Sequence, residues 1–311
     1  MGECKHSILM KTKLNEEDYE AIKNLETICY EKQKTDLKLE LDFKKHQRKI
    51  ITIDSVKDKM ITEFLYYKNE ILVGYLGLSN FGGDTVEISG MVHPKFRRRR
   101  IFKKLYLIAM QEWQKSSPQE VLALCDHTSI SGLAFINSNG SEYVTSEYKM
   151  CLNKKILSVT HDYVIKLRLA TSEDSDEIDR QTSVYFGEPL KDDKDQDSKV
   201  EIENNTEIEK PVIQDDDNFI SYMAELNGRI IGKIHISIAD NEGFIYGFGV
   251  LPNFRGNGYG REILSSTLDI LKKKSVGNIF LDVDRQNKNA LGLYESCGFE
   301  EVSVMDYYIV H

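Results

Sequence analysis

The feature that most constrains this chain is that it repeats itself. Identical residues recur at one fixed spacing of 158 positions: Asn69 with Asn227, Gly74 with Gly232, Val92 with Val250, Pro94 with Pro252, Phe96 with Phe254, Arg97 with Arg255, and Gly140 with Gly298. Chance identity does not hold one register from a hairpin through to a last helix, so the chain is a duplicated domain. Each half reads helix, hairpin, strand, helix, strand, helix, strand. In the first half these fall at 16–30, 62–67 with 71–78, 85–92, 101–115, 121–125, 132–137 and 143–152. In the second, Thr171 and Asp174 open a helix running toward 186, and Asn227-Gly228 marks the hairpin between 219–226 and 229–238. Strands at 244–250, 278–284 and 302–310 and helices after 260 and at 289–296 complete it. The pattern is α/β, with a mixed, mostly antiparallel sheet flanked by helices in each half. The expected domains are 1–158 and 163–311, with a charged, helical stretch at 31–49 and an acid-rich surface loop at 190–217.

The second half contains three glycines within five residues, Gly256, Gly258 and Gly260, between an apolar strand and a helix. That helix carries Ile263, Leu264, Leu268 and Leu271 as one apolar stripe. Such a turn gathers free backbone N–H groups at the positive end of a helix and makes a phosphate cradle. The alternative is a glycine-rich turn that only caps the helix. Neither the Walker pattern nor the dinucleotide fingerprint is present, because the glycine spacing fits neither.

What is present is Arg-x-x-Gly-x-Gly (Arg255, Gly258, Gly260), introduced by Val-x-Pro. Downstream stands Asn287-x-x-Ala290-x-x-Leu293-Tyr294-x-x-x-Gly298-Phe299. Together they resemble the two signatures of the GCN5-related N-acetyltransferases (GNAT). The resemblance implies two tandem acyl-CoA N-acyltransferase domains and transfer of an acetyl group from acetyl-CoA, as cosubstrate, to a primary amine by direct attack in a ternary complex. It implies that Arg255, Gly256, Asn257, Gly258, Tyr259, Gly260 and Arg261 hold the pyrophosphate. Backbone N–H groups of Phe248, Gly249 and Val250 would face the acetyl carbonyl, with Gly247 and Gly249 letting the strand bulge. Tyr294 would be the general acid that protonates the leaving thiolate, since a phenol is neutral at pH 7 and still has a proton to give. Without the motif, Tyr294 would read as a helix tyrosine packing on the sheet. Asn287 bonds the pantetheine arm or caps its own helix. The strand before the cradle has no acid, so the base is not identified; Glu225, Asp284 and a water path are the candidates. Cys297 falls in the variable part of the motif and reads as structural.

The first half departs from this pattern. Arg98, Arg100 and Phe102 stand where the second half has Gly256, Gly258 and Gly260, and Ile136 stands where it has Tyr294. Bulky side chains are expected to crowd that phosphate site, leaving one acetyl-CoA site per chain and an inactive copy. Arg97–Arg100 with Lys103 and Lys104 also form a basic run that nucleic acid would favour. The formal net charge of −9 and the lack of interleaved aromatics argue against it.

Composition sets the remaining bounds. Hydrophobic residues make up 41% of 311, enough for two cores, and no run is long and apolar enough to cross a membrane. The five cysteines show no metal-ligand spacing, so no metal is expected, and reduced thiols fit a cytoplasmic protein. The partner is an amine acceptor, a small molecule or a protein amine, without membrane, and a homodimer is allowed. A rival reading is a non-catalytic acyl-CoA-binding sensor, which an intact Tyr294 disfavours.

Overall fold

The structure, a computed structural model, describes residues 5–42, 44–45, 60–80, 85–114, 120–153, 163–186 and 218–310. The acid-rich loop at 190–217 and the junction at 154–162 lie outside them. The contacts divide the chain into residues 1–148 with 303–311, and residues 149–302.

In the first unit, β1 (His6–Lys11), β2 (Glu63–Lys68), β3 (Ile71–Ser79) and β4 (Thr85–Val92) are antiparallel neighbours, and β5 (Glu120–Asp126) lies parallel to β4. Helices α1 (Glu16–Gln33), α2 (Ile101–Gln114) and α3 (Ile130–Ser138) and the first part of the long strand β6 (Glu142–Leu152), whose residues 149–152 fall in the second unit, complete this half. Alternate side chains of a strand point to opposite faces, so one sheet serves two cores. Phe64 and Tyr66 of β2 pack with Leu105, Ala109 and Trp113 of α2, while Leu65 packs with Tyr19, Ile22 and Leu25 of α1. Of the stretch at 31–49 expected to be helical, residues 31–33 end α1, 34–40 are not helical, 41–42 and 44–45 are helical, and 43 and 46–49 lie outside the described residues.

The second unit repeats this order with β7 (Lys166–Leu169), α4 (Ser175–Phe186), β8 (Phe219–Leu226), β9 (Arg229–Ala239), β10 (Glu242–Val250), α5 (Tyr259–Lys273), β11 (Asn278–Asp284) and α6 (Lys288–Ser296). Strands β7 to β10 are antiparallel, and β11 is parallel to β10. The apolar stripe of α5 is buried as its spacing requires. Asn227 and Gly228 both hold positive φ, as a two-residue hairpin turn demands.

The structure differs from the sequence expectation in two ways. Each half begins with a strand, β1 or β7, that the sequence reading missed. And the last strand, β12 (Phe299–Ile309), does not close the second unit along its whole length. Its end pairs antiparallel with β5, Met305 opposite Asp126 and Ile309 opposite Leu122, so 303–311 belong to the first unit. Polar contacts fix it there. Asp306 is buried, accepts from Ser146 Oγ at 2.6 Å and meets His127 Nδ1 at 2.7 Å. The Tyr307 hydroxyl donates to Glu147 at 2.5 Å and accepts from Lys38 Nζ at 2.9 Å.

Candidate functional site

The site in the second unit begins where the parallel pair comes apart. β10 and β11 pair only through Glu242–Ile245 and Asn278–Leu281, although β10 continues to Val250 and β11 to Asp284. At the same point β10 bulges. Tyr246 faces His235 and Gly249 faces Lys233, so Gly247 and Phe248 together oppose one residue of β9. Gly247 holds φ 55° there, and a Cβ on it would fall 2.3 Å from the His235 ring. Glycine is the residue that this bend allows.

Beyond Val250 the chain makes a short turn, Pro252–Phe254, and then the glycine loop. Gly256 and Gly258 hold φ of 78° and 83°, and a Cβ on either would meet nothing within 4 Å. Their glycines therefore serve the left-handed backbone, not the relief of a clash within the chain. Gly258 is the N-cap of α5 and makes no side-chain cap, so the first-turn N–H groups are left for another acceptor at the positive end of the helix.

Several predicted side chains have partners within the chain. Arg255 Nε donates to the Val250 carbonyl at 2.8 Å, which ties the loop to the strand end. Asn257 donates to the carbonyls of Phe254 and Arg255. Arg261 donates to the Ser296 carbonyl at 3.2 Å, and Asn287 caps α6 by accepting from Ala290 N at 3.2 Å. Gly260 lies against Leu293, and Tyr259 opens α5 half-buried.

Tyr294, on α6, is 8% exposed, with its ring beside those of Phe248 (6.3 Å between centroids) and Phe299 (6.1 Å). Burial, and then the nearby Cys297, push its pKa up to about 12. Among the described residues its hydroxyl has no hydrogen-bond partner. Burial likewise pushes the Cys297 thiol up, which keeps it a poor nucleophile.

Helix α4 covers the other face of the bulged strand. The Tyr185 ring occupies the space that a Cβ on Gly249 would need, and the Arg255 guanidinium lies 6.0 Å from the ring centre. Tyr185 donates to Gln181, Gln181 donates to Glu177, and the fully buried Lys233 donates to Thr182. Sequence reasoning missed Lys233 and His235. The signal was a lysine and a histidine two apart within an otherwise apolar strand. His235 Nδ1 meets Ser221 Oγ at 2.7 Å, and burial, then Lys233, lowers its pKa to about 3. It is therefore uncharged at neutral pH, with one ring N–H, and is a weak base. Glu225 is engaged by Arg168 at 2.6 Å, and Asp284 accepts from Gln286 N at the entrance to α6. Among the described residues no group of acidic, histidine and cysteine side chains could hold a metal.

The corresponding loop of the first unit keeps its backbone shape. Arg98 and Arg100 hold φ of 63° and 61°, at the positions of Gly256 and Gly258. A left-handed arginine costs roughly 1–2 kcal/mol. A cleft of about 490 Å³ lies between β4, β5, α2 and α3, and Arg98, Arg100 and Phe102 are among the residues that line it. Ile136, in the place of Tyr294, is buried against Ala123 and Cys125.

A mixed sheet parted at its parallel pair, with a glycine loop at the mouth, defines the class of acyl-CoA N-acyltransferase folds. Residues 182–299 match the Acetyltransferase (GNAT) family. It resembles the [ribosomal protein bS18]-alanine N-acetyltransferase of Escherichia coli (strain K12), with 27% identity over 92 residues, 30% of this chain and 62% of that protein. It also resembles the mycothiol acetyltransferase of Thermomonospora curvata, with 38% identity over 87 residues, 27% of this chain and 28% of that protein. The matches thus span less than two thirds of those relatives. Two solved structures share the fold over nearly the whole chain. A GCN5-related N-acetyltransferase from Sphaerobacter thermophilus has TM-score 0.69 and 17% identity, covering 97% of this chain and 95% of that one. A tandem GNAT protein from the clavulanic acid biosynthesis pathway has TM-score 0.66 and 12% identity, covering 98% of each.

Proposed function

We propose that the second unit transfers the acetyl group of acetyl-CoA to a primary amine by direct attack in a ternary complex. The observation that carries this reading is Tyr294: a buried phenol, held protonated, whose hydroxyl has no partner among the described residues beside the bulged strand. The pyrophosphate would lie on the N–H groups of Gly256–Gly260 at the start of α5. N–H groups of Phe248, Gly249 and Val250 would face the acetyl oxygen, where negative charge develops. The amine nitrogen attacks the thioester carbon, the carbon–sulfur bond breaks, and the sulfur takes the proton of Tyr294. The amine's proton passes to solvent, because Glu225 is already engaged by Arg168 and His235 is too weak a base to draw it.

The related proteins act, by name, on a ribosomal-protein alanine and in mycothiol acetylation. For this chain the acceptor class is an amine, on a protein N-terminus or a small molecule. No described helix is long and apolar enough to cross a membrane, and a cytoplasmic setting is part of the proposal. The test is thiol release from acetyl-CoA across a panel of amines, with both substrates varied. Intersecting initial-velocity lines are expected. Parallel lines would replace the ternary complex by a covalent route, and no release with any amine would leave only binding.

A further inference from the structure

The bulge of β10 rests on two aromatic rings, and its two glycines face them. The His235 ring lies where a Cβ on Gly247 would stand, and the Tyr185 ring lies where a Cβ on Gly249 would stand. Gly247 requires glycine for a second reason, since it also holds positive φ. Gly249 does not hold positive φ, so at that position the ring alone demands glycine.

The same place in the first unit is built the other way. At the fixed spacing of 158 positions, Ser89, Met91 and Gly77 stand for Gly247, Gly249 and His235. There β3 and β4 pair without a bulge, from Gly74 opposite Val92 to Ser79 opposite Glu87. Met91, 4% exposed, shares one buried cluster with Leu25 and Cys29 of α1. Where the strand runs straight, it sends a side chain to the helix. Where it bulges, the helix sends a ring to the strand. The second arrangement falls in the copy that keeps the glycine loop and Tyr294.

The Tyr185 ring is held from behind. Its hydroxyl donates to Gln181 Oε1 at 2.7 Å, and burial pushes its pKa up, so it keeps that proton. Gln181 is fully buried and donates in turn to Glu177 at 2.7 Å. Arg180 closes on Glu177 with two bonds of 2.7 and 2.6 Å. Glu177, Gln181 and Tyr185 stand four residues apart and so share one side of α4. The helix is also tied to the other strand of the bulge, because Lys233, opposite Gly249, donates to Thr182.

We propose that Tyr185 is a positioning residue for acetyl transfer: its ring sets the height of the Gly249 backbone, and through it the aim of the strand's N–H groups at the acetyl oxygen. The inference rests on the acetyl-transfer reading of the second unit. A ring flat against a glycine leaves the backbone no room to sink toward α4. Aim matters because an N–H stabilises the developing oxyanion only within hydrogen-bond reach. Arg255, 6.0 Å from the ring centre, is tied independently to the Val250 carbonyl, so the glycine loop does not depend on the ring.

The test is steady-state kinetics on the full chain with acetyl-CoA and a responsive amine. The variants are Tyr185→Ala, Tyr185→Leu, Tyr185→Phe, Gly249→Ala and the double variant Gly249→Ala/Tyr185→Ala. Calorimetry gives the Kd for acetyl-CoA, and melting temperature confirms that each variant is folded. Tyr185→Ala and Tyr185→Leu should lower kcat and kcat/KM alike, on the order of 10- to 100-fold, with Kd unchanged. Tyr185→Phe keeps the ring and should recover most of that loss. Gly249→Ala should cost at least as much as Tyr185→Ala, because its methyl meets the ring. In the double variant the methyl meets the space the ring has left, so the second substitution should add no further loss. Losses that multiply in the double variant would overturn the proposal, and so would a Kd that weakens in step with kcat. Wild-type kcat in Tyr185→Ala, beside lost turnover in Tyr294→Phe and Gly258→Glu, would overturn this inference and leave the reading of the site standing. No turnover in wild type with any amine would overturn both.

Discussion

At the scale of single residues, the second unit's site turns on how burial treats Tyr294. A phenol normally ionises near 10; here desolvation moves that to about 12. The sign is simple: burial disfavours the charged form, so the proton stays on through the working range. Replacing Tyr294 by phenylalanine is expected to lower kcat on the order of 100-fold while leaving the Kd for acetyl-CoA unchanged. Wild-type kcat in that variant would return Tyr294 to packing alone. In the difference between wild-type and Tyr294→Phe alkaline absorbance titrations, one phenol is expected to ionise near 12; a midpoint near 10 would contradict its burial. The glycine loop and Tyr294 were legible in the sequence because their spacing is distinctive. His235 and Lys233 were not, because their meaning depends on a bulge and a covering helix that no local pattern announces.

At the scale of elements, the hairpin at Asn227-Gly228 and the stripe of α5 were readable from local chemistry. The strands β1 and β7 were not, since they are short edge strands whose residues are mostly exposed or half-buried. β7 nevertheless anchors the start of α4. Its Arg168 grips Asp174 with two bonds of 2.7 Å, and Asp174 accepts from Thr171 N at 2.8 Å. Arg168 above all, helped by Thr171, holds the Asp174 pKa down, from 3.8 to about 2. That shift corresponds to about 2 kcal/mol of folded-state stability. Because the folded pKa is depressed, the contribution is complete above about pH 5 and is lost as pH falls through 4 toward 2. Asp174→Asn is expected to cost on the order of 1–3 kcal/mol at pH 7 in urea unfolding and to flatten the acid dependence over that window. An unchanged midpoint would show that the pair contributes little.

At the scale of the whole molecule, the duplication was legible because one offset runs through the chain. The assignment of 303–311 to the first unit was not, since a closing strand has the same alternation whichever sheet it completes. Asp306 carries that assignment through Ser146 and His127. Asp306→Ala leaves both without their acceptor and is expected to destabilise the first unit by roughly 2–4 kcal/mol. The chain's single tryptophan, Trp113, is buried in that unit and reports its unfolding by fluorescence. A Trp113 transition at the wild-type denaturant concentration would contradict the role of Asp306. The central claim is that acetyl transfer resides at the parted strands and glycine loop of the second unit. Its most direct measurement is acetyl-CoA turnover with a responsive amine in Gly258→Glu, whose carboxylate would stand where the pyrophosphate is expected. Turnover should fall to background while the melting temperature stays within a few degrees of wild type. Wild-type turnover in that variant would place the chemistry elsewhere.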